Sequence, residues 1–158
     1  MLLILGSDYG YCQVWKIDTT VISSSEKIIF GNKYLFQELK AGGTGQLLRI
    51  SLLIGSDTVK MLERDLIHHT GDEFARVAIA AEYKLDGDHL IFYTYRKFTD
   101  GVSPPNISYT TLKETFVIQK KGAIVRLTIE YGKSDPILDR EIKNRLQKKL
   151  DEASKKSY

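Results

Sequence analysis

The chain is poor in the residues that carry most recognisable chemistry. Its 158 residues include one cysteine, Cys12, and three histidines, and lysine plus arginine outnumber aspartate plus glutamate by only 23 to 20. A single thiol closes no internal disulfide, which favours a reducing compartment and a fold held by its core. Cys12 beside a strand reads as a small buried hydrophobe rather than a nucleophile. The small net charge argues against a one-signed field made for nucleic acid. Lys143, Lys148, Lys149, Lys155 and Lys156 crowd the C-terminal end, but Asp139, Glu141, Asp151 and Glu152 interleave with them, as on a solvated helix face. The apolar start, Met1 to Leu5, runs straight into Gly6-Ser7-Asp8 and is too short for a signal peptide or a membrane span. A cytoplasmic protein with no membrane span is expected, with residues 1–10 as an N-terminal extension.

Active-site signatures are missing too. There is no Ser/His/Asp or Cys/His constellation, no metal-ligand spacing and no cofactor fingerprint, so no catalytic residue, metal or cofactor is assigned. His68-His69 are adjacent in a strand-like run, and adjacent strand residues point to opposite faces, so they cannot easily share an ion. Gly42, Gly43 and Gly45 lack the Gly-Lys-Ser/Thr ending of a nucleotide loop and precede a strand, which makes them a tight connection.

What the chain does have is pattern. At 42% hydrophobic and 27% charged it has the composition of a folded protein, and its length suits one domain, residues 1–158, with no repeats. Val14 to Val21 alternates as a strand. Ser23, Ser24 and Ser25 then offer N-caps ahead of Glu26. Ile28, Ile29, Leu35, Phe36 and Leu39 recur near helical spacing, broken at Gly31-Asn32. Two short helices with a bend are expected there, and a hairpin across the same turn is the rival reading. Six strand-like runs follow: Gln46 to Ile54, Thr58 to Ile67, Phe74 to Leu85, His89 to Phe98, Leu112 to Gln119 and Ala123 to Tyr131. In the last run, Val125, Leu127, Ile129 and Tyr131 alternate with Arg126, Thr128 and Glu130, predicting one dry face and one wet. Ser134-Asp135-Pro136 opens a helix over 134–155 whose Leu138, Ile142, Leu146 and Leu150 form an apolar stripe. The concave face of the sheet is the expected partner for that stripe.

This order of elements resembles the helix-grip fold of the birch-pollen-allergen superfamily, and within it the class-10 pathogenesis-related and major latex proteins of plants. The residues that carry the resemblance are Lys16-Ile-Asp-Thr-Thr-Val21, Gly42-Gly43-Thr44-Gly45 before Arg49-Ile50-Ser51, the Tyr83-Lys-Leu-Asp-Gly-Asp88 turn, Ile129-Glu130-Tyr131 and the terminal helix. The resemblance implies an α+β fold in which a seven-stranded curved antiparallel sheet wraps the C-terminal helix. It also implies a cavity between the two for a hydrophobic or amphipathic small molecule, such as a lipid or plant hormone. A lipocalin-like up-and-down barrel is the alternative fold and predicts an internal cavity as well.

On this reading Leu48, Ile50, Ile79, Tyr83, Phe116, Leu127, Leu138 and Ile142 line the cavity, and the Tyr83 hydroxyl orients the ligand. The partner is the small molecule, not nucleic acid, because stacking bases would require Tyr83, Phe92, Tyr93, Tyr95, Phe98 and Tyr109 on an exposed basic face. The chain is expected as a monomer or weak dimer. Two other readings stand beside this one: a cofactor-free lyase or isomerase using Glu63 or Glu114 with Tyr83, and an interaction protein whose interior is filled by its own side chains.

Overall fold

The computed structural model describes residues 20–72 and 74–156. Cys12, the N-terminal extension and all but the end of the Val14 to Val21 run lie outside the described residues. The described chain is an α+β fold: an antiparallel sheet of eight strands in sequence order, then one C-terminal helix.

The segment expected as two short helices is instead a hairpin of β1 (Val21–Ile29) and β2 (Asn32–Ala41). Phe30 and Gly31 form its turn with φ of 52° and 79°. Two consecutive residues in the left-handed region twist the chain in the sense that antiparallel strands need. The helical spacing misled because a period-2 signal ran through the same residues. Tyr34 and Phe36 point into the core at 0% and 3% exposure, while the alternating Lys33 and Leu35 are more open. The three serines, expected as helix caps, lie in an exposed edge strand. This hairpin makes the strand count eight rather than seven.

The remaining strands follow the expected runs: β3 (Gly45–Ile54), β4 (Asp57–Gly71), β5 (Ala75–Asp86), β6 (His89–Asp100), β7 (Ile107–Ile118) and β8 (Ile124–Tyr131). The glycine loop is the tight connection anticipated, with the Gly45 N–H donating to the Gly42 carbonyl at 2.9 Å.

The sheet curls, because strands far apart in its order meet across one face. The Tyr34 hydroxyl on β2 donates to the Gly122 carbonyl in the β7–β8 turn at 3.2 Å, and Asn32 Nδ2 donates to the Lys120 carbonyl at 3.0 Å. The rings of Phe36 and Tyr83, from β2 and β5, stack with centroids 6.4 Å apart. Inside the curl, Tyr34, Phe36, Ile50, Leu66, Phe92 and Phe116 belong to one apolar cluster. Burying each such side chain is worth about 1.5–3 kcal/mol. Gly122 permits the closure. A Cβ there would stand 2.9 Å from Leu52 Cδ2 on a backbone already at φ +93°.

The helix α1 (Pro136–Lys155) starts as expected, with the Asp135 carboxylate accepting from the N–H groups of Ile137 and Leu138 at 3.0 and 3.2 Å. Its stripe packs, but on the opposite face of the sheet from the one expected. Ile142, Leu146 and Leu150, with Leu138 beside them, meet Ile67, Ala78, Ala80, Tyr93 and Tyr95. Ala80 faces the helix while its neighbour Ala81 belongs to the interior cluster, the alternation that every strand imposes. The helix therefore lies outside the curl, where two alanines of β5 leave it a shallow seat. Arg145 pins its margin, pairing with Glu82 at 2.5 Å and lying over the Tyr93 ring at 5.1 Å.

β4 and β5 pair only between Ile67–Gly71 and Arg76–Ala80, so the sheet is slit beyond that point. At the edge of the slit the Ala81 carbonyl accepts from Lys149 Nζ of the helix at 2.7 Å, and burial lowers the pKa of that amine.

An arginine-walled cavity in the curled sheet

In an up-and-down meander alternate connections fall at the same end. The turns at Phe30-Gly31, Gly55-Ser56, Gly87-Asp88 and Gly122 gather at one end, where the interior is packed with apolar side chains. Loops 42–44, 72–74 and 101–106 gather at the other. Part of the concave face of β4–β8 is left open as a cavity of about 490 Å³, within the range that small-molecule sites occupy.

Alternation selects the wall. Ile79 and Ala81 of β5, Phe92, Thr94 and Arg96 of β6, Leu112 and Glu114 of β7, and Ile129 and Tyr131 of β8 are same-face positions. Arg64 and Arg126 join them, with Glu63 and Asp65 also on the boundary. The wall thus combines apolar strips with three guanidinium groups.

Glu114 is the electrostatic centre. It is 7% exposed, and a carboxylate so buried must be neutralised. Arg64 reaches one oxygen at 2.5 Å and Arg126 the other at 3.3 Å. Arg64 reaches it past two aromatic faces, Phe92 at 5.8 Å and Phe116 at 5.3 Å from its guanidinium carbon. Arg64 is thereby held by one carboxylate and two rings. Arg126 is half exposed, and the Arg96 side chain makes no ion pair or hydrogen bond with any described residue. Glu63 is held by Arg49 at 2.8 Å.

The eight residues expected around a ligand divide four ways. Ile79 lines the cavity. Leu48, Ile50 and Phe116 are buried in the interior cluster and Tyr83 packs against it, so they fill the part of the curl they were expected to leave open. Leu138 and Ile142 belong to the helix seat on the opposite face. Leu127 is 53% exposed. A bulge explains Leu127. Phe116 pairs with Arg126 but Thr115 with Thr128, so Leu127 is an extra residue, and the parity of β8 flips across it. Ile129, Tyr131 and Arg126 consequently share the cavity wall, while Val125 and Leu127 are exposed.

The acid–base pairing expected for Tyr83 changes as well. Its hydroxyl donates to Glu38 Oε1 at 3.4 Å, while Glu63 and Glu114 are each held by arginine. Burial, and then the Glu38 charge, push the Tyr83 phenol above its ordinary pKa. Arg64, Arg96, Arg126 and Glu38 were missed by the sequence reading. The available signal was an arginine or glutamate at an inward parity position in otherwise apolar strands, as Arg96 is in Leu90, Phe92, Thr94, Arg96.

Parity separates Phe92 from Tyr95, while Phe98 shares the parity of Phe92 but lies toward the loop end of β6. Phe92 is interior, Tyr95 stacks on Tyr109 under the helix at 5.9 Å, and Phe98 is exposed. No cluster of metal-binding side chains occurs among the described residues, and no described helix is long and apolar enough to cross a membrane. Comparison with family models, with curated proteins and with solved structures finds no match to this chain.

Proposed function

We propose that this protein binds an amphipathic small molecule in the cavity of the curled sheet, for carriage, storage or sensing. The observation that carries the reading is the wall itself. A space of about 490 Å³ is bordered by Ile79, Leu112 and Ile129 and by three guanidinium groups, of which Arg64 and Arg126 neutralise Glu114 while the Arg96 side chain has no ion pair or hydrogen bond among the described residues. Apolar strips desolvate one part of a ligand while a few placed polar groups orient the other. Thr94 and Tyr131 add hydroxyls to that polar set. The site belongs to the sheet and does not involve Leu138 or Ile142 of the helix. An up-and-down meander with an external helix favours the lipocalin-like alternative over the helix-grip resemblance as a guide to how a ligand enters. The route is then between the loops at 42–44 and 101–106, not past the helix.

Native mass spectrometry of the purified protein, with titration by a solvatochromic hydrophobic dye, tests the proposal. A co-purified small molecule or saturable dye binding is expected. Thr94→Trp, which fills the cavity from a half-buried position, abolishes dye binding without lowering the urea midpoint. Absence of saturable binding, or dye affinity unchanged in T94W, overturns it.

A further inference from the structure

The charges around the cavity specify the polar end of its ligand, an inference that rests on the binding reading above. Arg64, Arg96, Arg126, Glu63, Glu114 and Asp65 all lie on its boundary, and Arg49 neutralises Glu63 from outside it. Four guanidinium groups against three carboxylates leave one positive charge over. Its location follows from the pairings. Arg64 is spent on Glu114 and on the rings of Phe92 and Phe116. Arg126 gives one N–H to Glu114 at 3.3 Å and keeps the rest of its five donors, and Arg96 gives none to any described residue. Asp65, the boundary carboxylate with no ion pair among the described residues, offsets only one of the two open arginines.

We propose that the ligand is a monoanionic amphiphile, with a carboxylate as its simplest form, whose charged head is received by Arg96 and Arg126 while its apolar part lies on Ile79, Leu112 and Ile129. Charge-assisted hydrogen bonds from a planar guanidinium are about twice as strong as neutral ones and match a carboxylate in geometry. One negative charge brings the site to neutrality. A dianion leaves it net negative beside Glu114, whose burial makes added negative charge costly. The site is therefore built for a fatty-acid-like head in preference to a phosphate monoester or a polyphosphate.

The test is displacement of the dye from the full-length protein at pH 8 and low salt by decanoate, decanol and decyl phosphate, each below its aggregation threshold. Decanoate is expected to bind at least tenfold more tightly than decanol and no more weakly than decyl phosphate. Arg96→Gln should reduce the preference for decanoate over decanol to threefold or less while leaving the affinity for decanol in place. Arg96 is exposed and unpaired, so the variant keeps the wild-type urea midpoint. Equal affinity for decanoate and decanol overturns the charge assignment and leaves the cavity reading standing. So does a decanoate preference that survives the R96Q/R126Q double variant, or tighter binding of decyl phosphate. Failure of the dye to bind the wild-type protein overturns both.

Discussion

Removing Arg64 tests whether Glu114 is the electrostatic centre of the interior. Arg64→Leu keeps the apolar stem that lies against Phe92 and Phe116 but takes away the 2.5 Å partner of a carboxylate only 7% exposed. Breaking a fully buried pair costs about 3–5 kcal/mol, because the surviving charge is left without compensation. Two features reduce that figure: Arg64 is itself 34% exposed, and Arg126 still reaches the other oxygen at 3.3 Å. A loss of about 2–3 kcal/mol at neutral pH is expected after the discount for solvent screening. With a urea dependence of about 1–3 kcal/mol per molar for a chain this size, the unfolding midpoint falls by about 1–2 M. The decisive comparison is with the double variant Arg64→Leu/Glu114→Leu. Replacing both charges with apolar groups of similar size removes the unpaired ion, so the double variant should recover to within about 1 kcal/mol of wild type. A single variant that loses less than about 0.5 kcal/mol, or a double variant no more stable than the single, refutes the reasoning.

The two faces of the sheet make contrasting predictions. Leu146→Ala, at 1% exposure in the helix seat, should cost about 3 kcal/mol, and Leu127→Ser, on the exposed bulge, less than about 0.5 kcal/mol, both read from urea midpoints. At alkaline pH the fold should weaken. Burial raises the phenol pKa values of Tyr34, Tyr83 and Tyr95 above 10.0, so over that window the folded chain holds more protons than the unfolded one. Their contribution is complete below pH 10 and is lost as pH rises through the folded values. Lys149, lowered from 10.5, works in the opposite sense. Urea midpoints at pH 9 and pH 11 measure the balance, and Tyr83→Phe should shrink the difference between them. His69 acts at the acid end. Burial and the neighbouring His68 lower its pKa from 6.5, so its contribution is lost as pH falls below 6.5, and His69→Gln should flatten the midpoint between pH 7 and pH 5.

Much of this molecule is written locally. Strands β3 to β7 follow from alternation and from turn residues at Gly55-Ser56, Asp86-Gly87 and Lys120-Lys121-Gly122, because a period-2 pattern and a positive-φ turn are properties of neighbouring residues. The helix, its start at Asp135-Pro136 and its stripe at Leu138, Ile142, Leu146 and Leu150 are legible for the same reason. The hairpin at 21–41 was legible only in part, since Ile28, Ile29, Leu35, Phe36 and Leu39 satisfy a helical period as well as a strand pairing and only the partner β3 decides between them.

Other features arise only when the chain closes on itself. Which face of β5 the helix covers depends on Ala80 against Ala81, and one sequence cannot say which side of a two-faced strand is concave. The bulge at Leu127 exists because β8 must stay paired with β7 while the sheet curls, and it inverts the parity read from the sequence. Glu114, Arg64 and Arg126 lie on three strands, and Tyr83 finds Glu38 from 45 residues away. The sequence by itself determined strands β3 to β8, the helix and the small charge surplus. The tertiary structure decided which side chains share an interior, because long-range pairing sets the distances over which burial and charge act.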